Sequence, residues 1–228
     1  MSDAQTPDIR MGPAEPIVSG HYRTREQQDE TAFIGMWLFL AQEIMFFGGL
    51  FIAYAVYRYK HPISWFEGSD HLNFYIGTFN TLVLLASSLT MAMCVHSTQM
   101  GKWKQQVWYL VATIALGTVF LGVKVYEYSD KYAHGLMPGI NWNPEPGMFT
   151  DPATTQLFFV MYFIMTGMHA FHMVIGFVIG AVFIYLCAVK KEYGPNKYLP
   201  IEFFGFYWHF VDIVWVFLFP MLYLISSP

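Results

Sequence analysis

Tyr207-Trp208-His209-Phe210-Val211-Asp212-Ile213-Val214-Trp215 sets a histidine and an aspartate three residues apart inside an otherwise apolar run. The whole run, residues 201–226, carries the ~20 apolar residues that a helix needs to cross a ~30 Å hydrocarbon core. Ionisable groups at that depth are costly, so they face protein or water and normally have a partner. The stretch therefore predicts a membrane helix packed inside a bundle.

Four more apolar segments precede it, at 31–57, 72–96, 105–126 and 154–189. The fourth is longer than a span requires, so it is expected to tilt or to project beyond the bilayer. These are long apolar runs, not the short alternating segments of a membrane barrel. Helices satisfy their own backbone groups in lipid, so the expected fold is all-α, a polytopic transmembrane bundle of five helices. Composition agrees, with 55% apolar and only 12% charged residues, against about 25% charged in soluble domains.

Lysine and arginine set the expected orientation. Arg10, Arg23, Arg25, Lys102, Lys104, Lys190, Lys191 and Lys197 fall on one side. Arg58, Lys60 and Lys131 fall on the other, with Lys124 near the end of the third span. This asymmetry predicts a cytoplasmic N-terminus. Residues 1–30 are polar and lack an apolar h-region, so a cytoplasmic arm is expected there and a cleavable signal peptide is not. The longest connection, 130–153, is rich in Gly and Pro and long enough to be functional or partner-bound. Trp65, Trp103 and Trp142 near span ends suit an interfacial aromatic belt. Cys94 and Cys187 read as small buried hydrophobes, and they lack metal-type spacing. Repeats, a Gly-rich phosphate loop and a nucleophile motif are absent from the sequence, and nothing in it points to nucleic acid.

The polar residues inside the spans are the candidate site. Glu43 sits roughly 18 Å along the first helix, near mid-membrane. It is either a neutral acid bonded to a neighbouring helix or a proton-exchanging group. His169 and His172 share one face of the fourth span. Two imidazoles on one turn make an incomplete metal site and cannot ligate one haem from both sides, so interhelical hydrogen bonding is the expected role. Glu202, His209 and Asp212 form one stripe on the fifth span. Together with the His169/His172 face they are expected to make a buried polar seam whose mutual hydrogen bonds offset desolvation. Lys124 and Glu127, three apart near the outer end of the third span, read as a local ion pair. Gly48, Gly49, Ser87, Ser88 and the Gly176-x-x-x-Gly180 motif suit close helix packing.

Taken together these segments resemble subunit III of the haem–copper terminal oxidases. The resemblance is carried by Glu202 with Tyr207-Trp208-His209-Phe210-Val211-Asp212 and Val214-Trp215, and by Thr166-Gly167-x-His169-x-x-His172 with Gly176. Glu43-Ile44-Met45-Phe46-Phe47, Asn80-Thr81-x-Val83-Leu84-Leu85-Ala86-Ser87 and Glu127-Tyr128 complete it, in order, over about residues 33–223. Many members of that family have seven spans; this chain resembles the shorter form, without the two helices that close a lipid-holding cleft.

The resemblance implies a non-catalytic subunit that packs on the catalytic subunit I, beside subunit II, in a bacterial inner membrane. It implies that haems and copper reside in those partners and none in this chain. It also implies bound phospholipids, and Glu43 as the family's mid-membrane carboxylate supporting proton uptake during aerobic respiration. The electron donor, cytochrome c or quinol, is not legible. Competing expectations are the subunit-III-like accessory protein of nitric oxide reductases, an independent proton-coupled transporter built on Glu43 and the histidines, and a membrane di-metal enzyme.

Overall fold

The computed structural model describes residues 24–225. Among these residues, five helices are long and apolar enough to cross a membrane. They are α1 (Arg25–Lys60), α3 (Phe74–Gln99), α4 (Trp103–Ala133), α5 (Pro152–Tyr185) and α6 (Leu199–Tyr223), with a short α2 (Pro62–Asp70) after the first. The chain divides into two units, residues 1–39 and 40–228.

In the first unit the described residues form the beginning of α1. Thr24 Oγ1 accepts from the Gln27 amide at 3.2 Å, the reach of an N-cap side chain. Arg25 and Asp29 make an exposed i,i+4 pair at 3.8 Å. The helix thus starts six residues before the apolar span does, because this polar turn is itself a good helix opening. Residues 1–23 of the expected arm lie outside the described residues.

The second unit is an up-and-down bundle, and its cross-helix contacts fix the direction of each helix. Phe47 meets Phe210, Phe51 meets Phe217, and the Tyr54 hydroxyl donates to the Met221 carbonyl. These contacts advance the same way along α1 and α6, so the two run parallel. Cys94 and Ser87 reach Gln106 and Thr113, which makes α3 and α4 antiparallel. Tyr162 and His172 of α5 meet Tyr223 and Tyr207, which makes α5 antiparallel to α6.

Helix α6 is the centre of the bundle. Phe204, Trp208, Val211, Trp215, Leu218 and Leu222 recur at three and four residues and are buried, and Tyr207, Val214 and Tyr223 bury further sides. A helix buried most of the way round belongs in a core. Its neighbours offer small residues where its aromatics arrive. A Cβ on Gly176 would lie 2.9 Å from the Trp208 ring, and one on Gly180 would lie 2.5 Å from Ile114. The Gly176-x-x-x-Gly180 motif therefore receives side chains of α6 and α4. Gly48 and Gly49 have nothing within 4 Å, so they do not mediate packing among the described residues, contrary to expectation.

The connections also depart from the sequence reading. The first contains α2, and its Trp65 is buried against Tyr54 and Phe158 instead of lying in an aromatic belt. Trp142 is half-buried and stacks on Phe149, while Trp103 stays exposed beneath Lys191. Helix α4 runs on to Ala133, which shortens the long connection. A two-stranded hairpin follows, β1 (Leu136–Met137) with β2 (Asn141–Trp142), in antiparallel register. Gly135 has φ +67°, and a Cβ there would come 2.8 Å from the Asn143 carbonyl, so only glycine fits that turn. Glu67 of α2 accepts from the Thr150 amide and hydroxyl, tying the end of this connection down. Asp151 then caps α5. The overlong fourth span ends in one wide turn, Leu186–Lys190, closed by Lys191 in the left-handed conformation at φ 50°.

Candidate functional site

Glu43 and Phe47 lie one turn apart on α1 and face α5 and α6. The Glu43 carboxylate meets His172 Nε2 at 3.1 Å, with side chains only 12% and 10% exposed. His172 Nδ1 lies 2.8 Å from the Met168 carbonyl, one turn back on its own helix. A carbonyl can only accept, so Nδ1 carries a hydrogen. The hydrogen bond to Glu43 then needs one further proton, held either by Nε2 or by the carboxyl. The two side chains thus share one proton in the middle of the spans. Phe47 packs on the imidazole at 5.2 Å, and Tyr207 donates to the His172 carbonyl at 2.7 Å.

His169 goes elsewhere. Three residues advance a helix by about 300°, so the two rings diverge by about 60°. That turn carries His169 inward between Phe120 and Trp215, each 5.3 Å away, where neither ring nitrogen has a hydrogen-bond partner among the described residues. His209 of α6 bonds Ser88 of α3 at 2.7 Å. Trp208 Nε1 donates to Ser87 at 2.9 Å, and Ser87 to the Thr113 carbonyl at 3.3 Å. Asp212 is buried within reach of Ser88 but makes no hydrogen bond of normal geometry there, and the Asn80 side chain has no hydrogen-bond partner among the described residues. Glu202 lies half-buried in the first turn of α6, where a carboxylate suits the helix dipole.

The seam expected from Glu202, His209, Asp212, His169 and His172 is therefore not one network. His172 pairs with α1, His209 with Ser88 of α3, which Asp212 also approaches, and Glu202 and His169 stand apart, because each side chain follows the helix its face meets.

Lys124 and Glu127 do pair, at 2.8 Å, and they are buried inside the bundle. The ammonium also donates to Tyr162 at 3.1 Å and Tyr223 at 2.8 Å. Tyr223 in turn donates to the other Glu127 oxygen at 2.6 Å. All three ammonium hydrogens are used, and the rings of Trp215, Tyr162, Tyr223 and Tyr128 lie 4.9 to 5.7 Å from the nitrogen. Lone tyrosines in aromatic-rich helices gave no sequence signal for this cage. Cys94 and Cys187 are buried as expected and are joined through Gln106. Among the described residues, no group of three or more His, Cys, Asp or Glu side chains could hold a metal ion.

Among the described residues, five membrane-type helices knitted by isolated polar contacts define a polytopic membrane protein. Its sequence matches the family model described as cytochrome c oxidase subunit III over residues 14–134 and 149–227. It is 31% identical over 198 residues to cytochrome c oxidase subunit 3 of Thermostichus vulcanus, covering 85% of this chain and 87% of that one. It is 32% identical over 197 residues to the Corynebacterium diphtheriae protein of the same name, with the same shares. The corresponding protein of Papio hamadryas is 31% identical over 222 residues, covering 92% of this chain and 74% of that one. The chain belongs to the cytochrome c oxidase subunit III family. It is a subunit III of a haem–copper oxidase, and the nitric oxide reductase and independent transporter readings are not favoured.

Proposed function

We propose that this subunit packs directly on the catalytic subunit I, in company with subunit II, in a bacterial inner membrane with its N-terminus in the cytoplasm. In this role it stabilises the complex, holds phospholipid at its margins and supports proton uptake during turnover; haems and copper belong to its partners. The observation that carries the proton role is the 3.1 Å contact of Glu43 with His172, whose side chains are still slightly exposed. A proton held there is reachable from a neighbouring subunit, whereas the Lys124 cage is closed on all sides. His209 and the polar groups around Ser88 hold the bundle in the shape that its partner meets.

The test is gentle solubilisation of the tagged chain from its own membrane, with identification of co-purifying subunits and a reduced-minus-oxidised spectrum. Haem signals accompanied by a subunit I are expected. A chain that purifies alone and haem-free from intact membranes would overturn the reading. In the assembled complex, Glu43→Gln should slow proton uptake or shorten the working lifetime.

A further inference from the structure

The connection from α3 to α4 and the connection from α5 to α6 meet on one face of the bundle, where a Cβ on Gly101 would lie 3.2 Å from Pro195. Residues 101–104 and 190–197 hold five lysines and one glutamate. That glutamate, Glu192, is paired with Lys197. Lys102, Lys104 and Lys191 are exposed, and none of them pairs with a carboxylate among the described residues. Two of the three share the indole of Trp103, which is itself 39% exposed. Lys191 Nζ lies 4.5 Å from the ring centroid and Lys104 Nζ 5.8 Å.

The backbone is bent to place Lys191 there. The wide turn Leu186–Lys190 that ends α5 is a form frequent at functional sites. Lys191 follows it at φ 50°, a left-handed conformation that a residue with a side chain holds only where its surroundings over-determine it. Beyond it, Tyr193 packs on Phe183 with ring centroids 5.5 Å apart, and the Lys197–Glu192 pair fastens the rest of the connection. The cluster also stands proud of its neighbour. A Cβ on Gly180 would lie 3.3 Å from Phe204, which is five residues after the start of α6. The final turn of α5 therefore carries Lys190 and Lys191 past Leu199, the first residue of α6. Clustered ammonium groups repel one another until carboxylates join them, and an indole among them supplies the flat anchor common in protein interfaces.

We propose that this patch docks an acidic segment of a neighbouring protein chain in the oxidase complex, its aspartates and glutamates on Lys102, Lys104 and Lys191 with Trp103 between them. The docking deepens the proposed subunit role and rests on it, adding a contact in the aqueous phase to the packing within the membrane. Charge complementarity of this kind governs partner choice and the rate of association.

The test treats the co-purified complex with a water-soluble carbodiimide, which joins an ammonium to a carboxylate where the two are in contact, and maps the joined residues by mass spectrometry. Lys197 should couple to Glu192, showing that the reagent reaches this face. Lys102, Lys104 or Lys191 should couple to an aspartate or glutamate of a neighbouring chain. Lys104→Gln combined with Lys191→Gln, both at exposed positions, should lose those links and leave the complex about tenfold faster in detergent, since each exposed pair is worth a few-fold. Lysines left uncoupled beside a coupled Lys197–Glu192 pair overturn the proposal and leave lipid headgroups as the cover of the patch. Unchanged dissociation of the double variant overturns it as well. A chain that purifies alone overturns the subunit role and this proposal with it, whereas an intact complex without the links overturns this proposal alone.

Discussion

Glu43 and His172 are joined across α1 and α5 by a single 3.1 Å hydrogen bond, and a carbonyl behind the imidazole fixes which nitrogen faces the carboxylate. A glutamine at position 43 can donate to Nε2 and keep the contact while removing the exchangeable proton. Glu43→Gln should therefore assemble and melt like the unaltered protein, yet show slower proton uptake or a shorter turnover lifetime. Glu43→Ala leaves a buried imidazole nitrogen unpaired and should lose about 1–3 kcal/mol as well. Stopped-flow proton uptake and turnover-lifetime assays on the purified complex check the pair. Unchanged uptake and lifetime in Glu43→Gln would remove the proton role.

Lys124 spends every hydrogen on Glu127, Tyr162 and Tyr223. Breaking a buried pair from one side strands the other charge and costs about 3–5 kcal/mol. Glu127→Leu should thus lower thermal stability in detergent sharply. Lys124→Met combined with Glu127→Leu should recover most of the loss, since apolar replacement of a whole buried pair is near neutral. A double variant as unstable as the single one would show that the aromatic ring contacts, not the ion pair, dominate.

His209 and Ser88 tie α6 to α3. Ser88→Ala, His209→Ala and the double variant form a thermodynamic cycle with an expected coupling of about 1 kcal/mol. Additive losses would mean that the hydrogen bond contributes nothing. Asp212→Asn gives up no hydrogen bond of normal geometry, so its thermal midpoint should stay close to that of the unaltered chain.

Asp151 caps α5 in the connection before the span. It accepts from the Thr154 hydroxyl and from its amide at 3.3 Å, and these hydrogen bonds hold its carboxyl below the usual carboxylate range. A lowered folded-state value stabilises the fold above the unfolded carboxyl's pKa, and the benefit is lost as pH falls through the folded one. The gap in melting temperature between the unaltered chain and Asp151→Ala should be widest near neutrality and close in acid. Asp151→Asn, an equally good cap, should melt above Asp151→Ala by a margin that is insensitive to pH, since neither replacement titrates. A gap for Asp151→Ala that persists unchanged into acid would exclude the carboxylate as its source.

The spans were legible because length and hydropathy report directly on what lipid demands of a helix. The i,i+3 spacing of Lys124 and Glu127 was legible for the same kind of local reason. What they bond to was not, since Tyr162 and Tyr223 are distant in sequence and resemble every other aromatic in their helices. Helix α2 went unseen because nine residues starting at a proline look like a turn. Both histidines are buried in the bundle, but a shared face did not give them a shared partner. A 60° divergence was enough to send His172 to a carboxylate and His169 to aromatic rings.

The hairpin between α4 and α5 lies in residues 135–148, the stretch the family match skips. Its tip glycine, Gly139, has φ +76° and nothing within 4 Å of where a side chain would begin. Its base, by contrast, is fastened by Trp142 on Phe149 and Phe159. A fluorophore or short epitope inserted at the tip would ride on a fixed stalk, giving this subunit a handle that reports on its surroundings without entering the bundle.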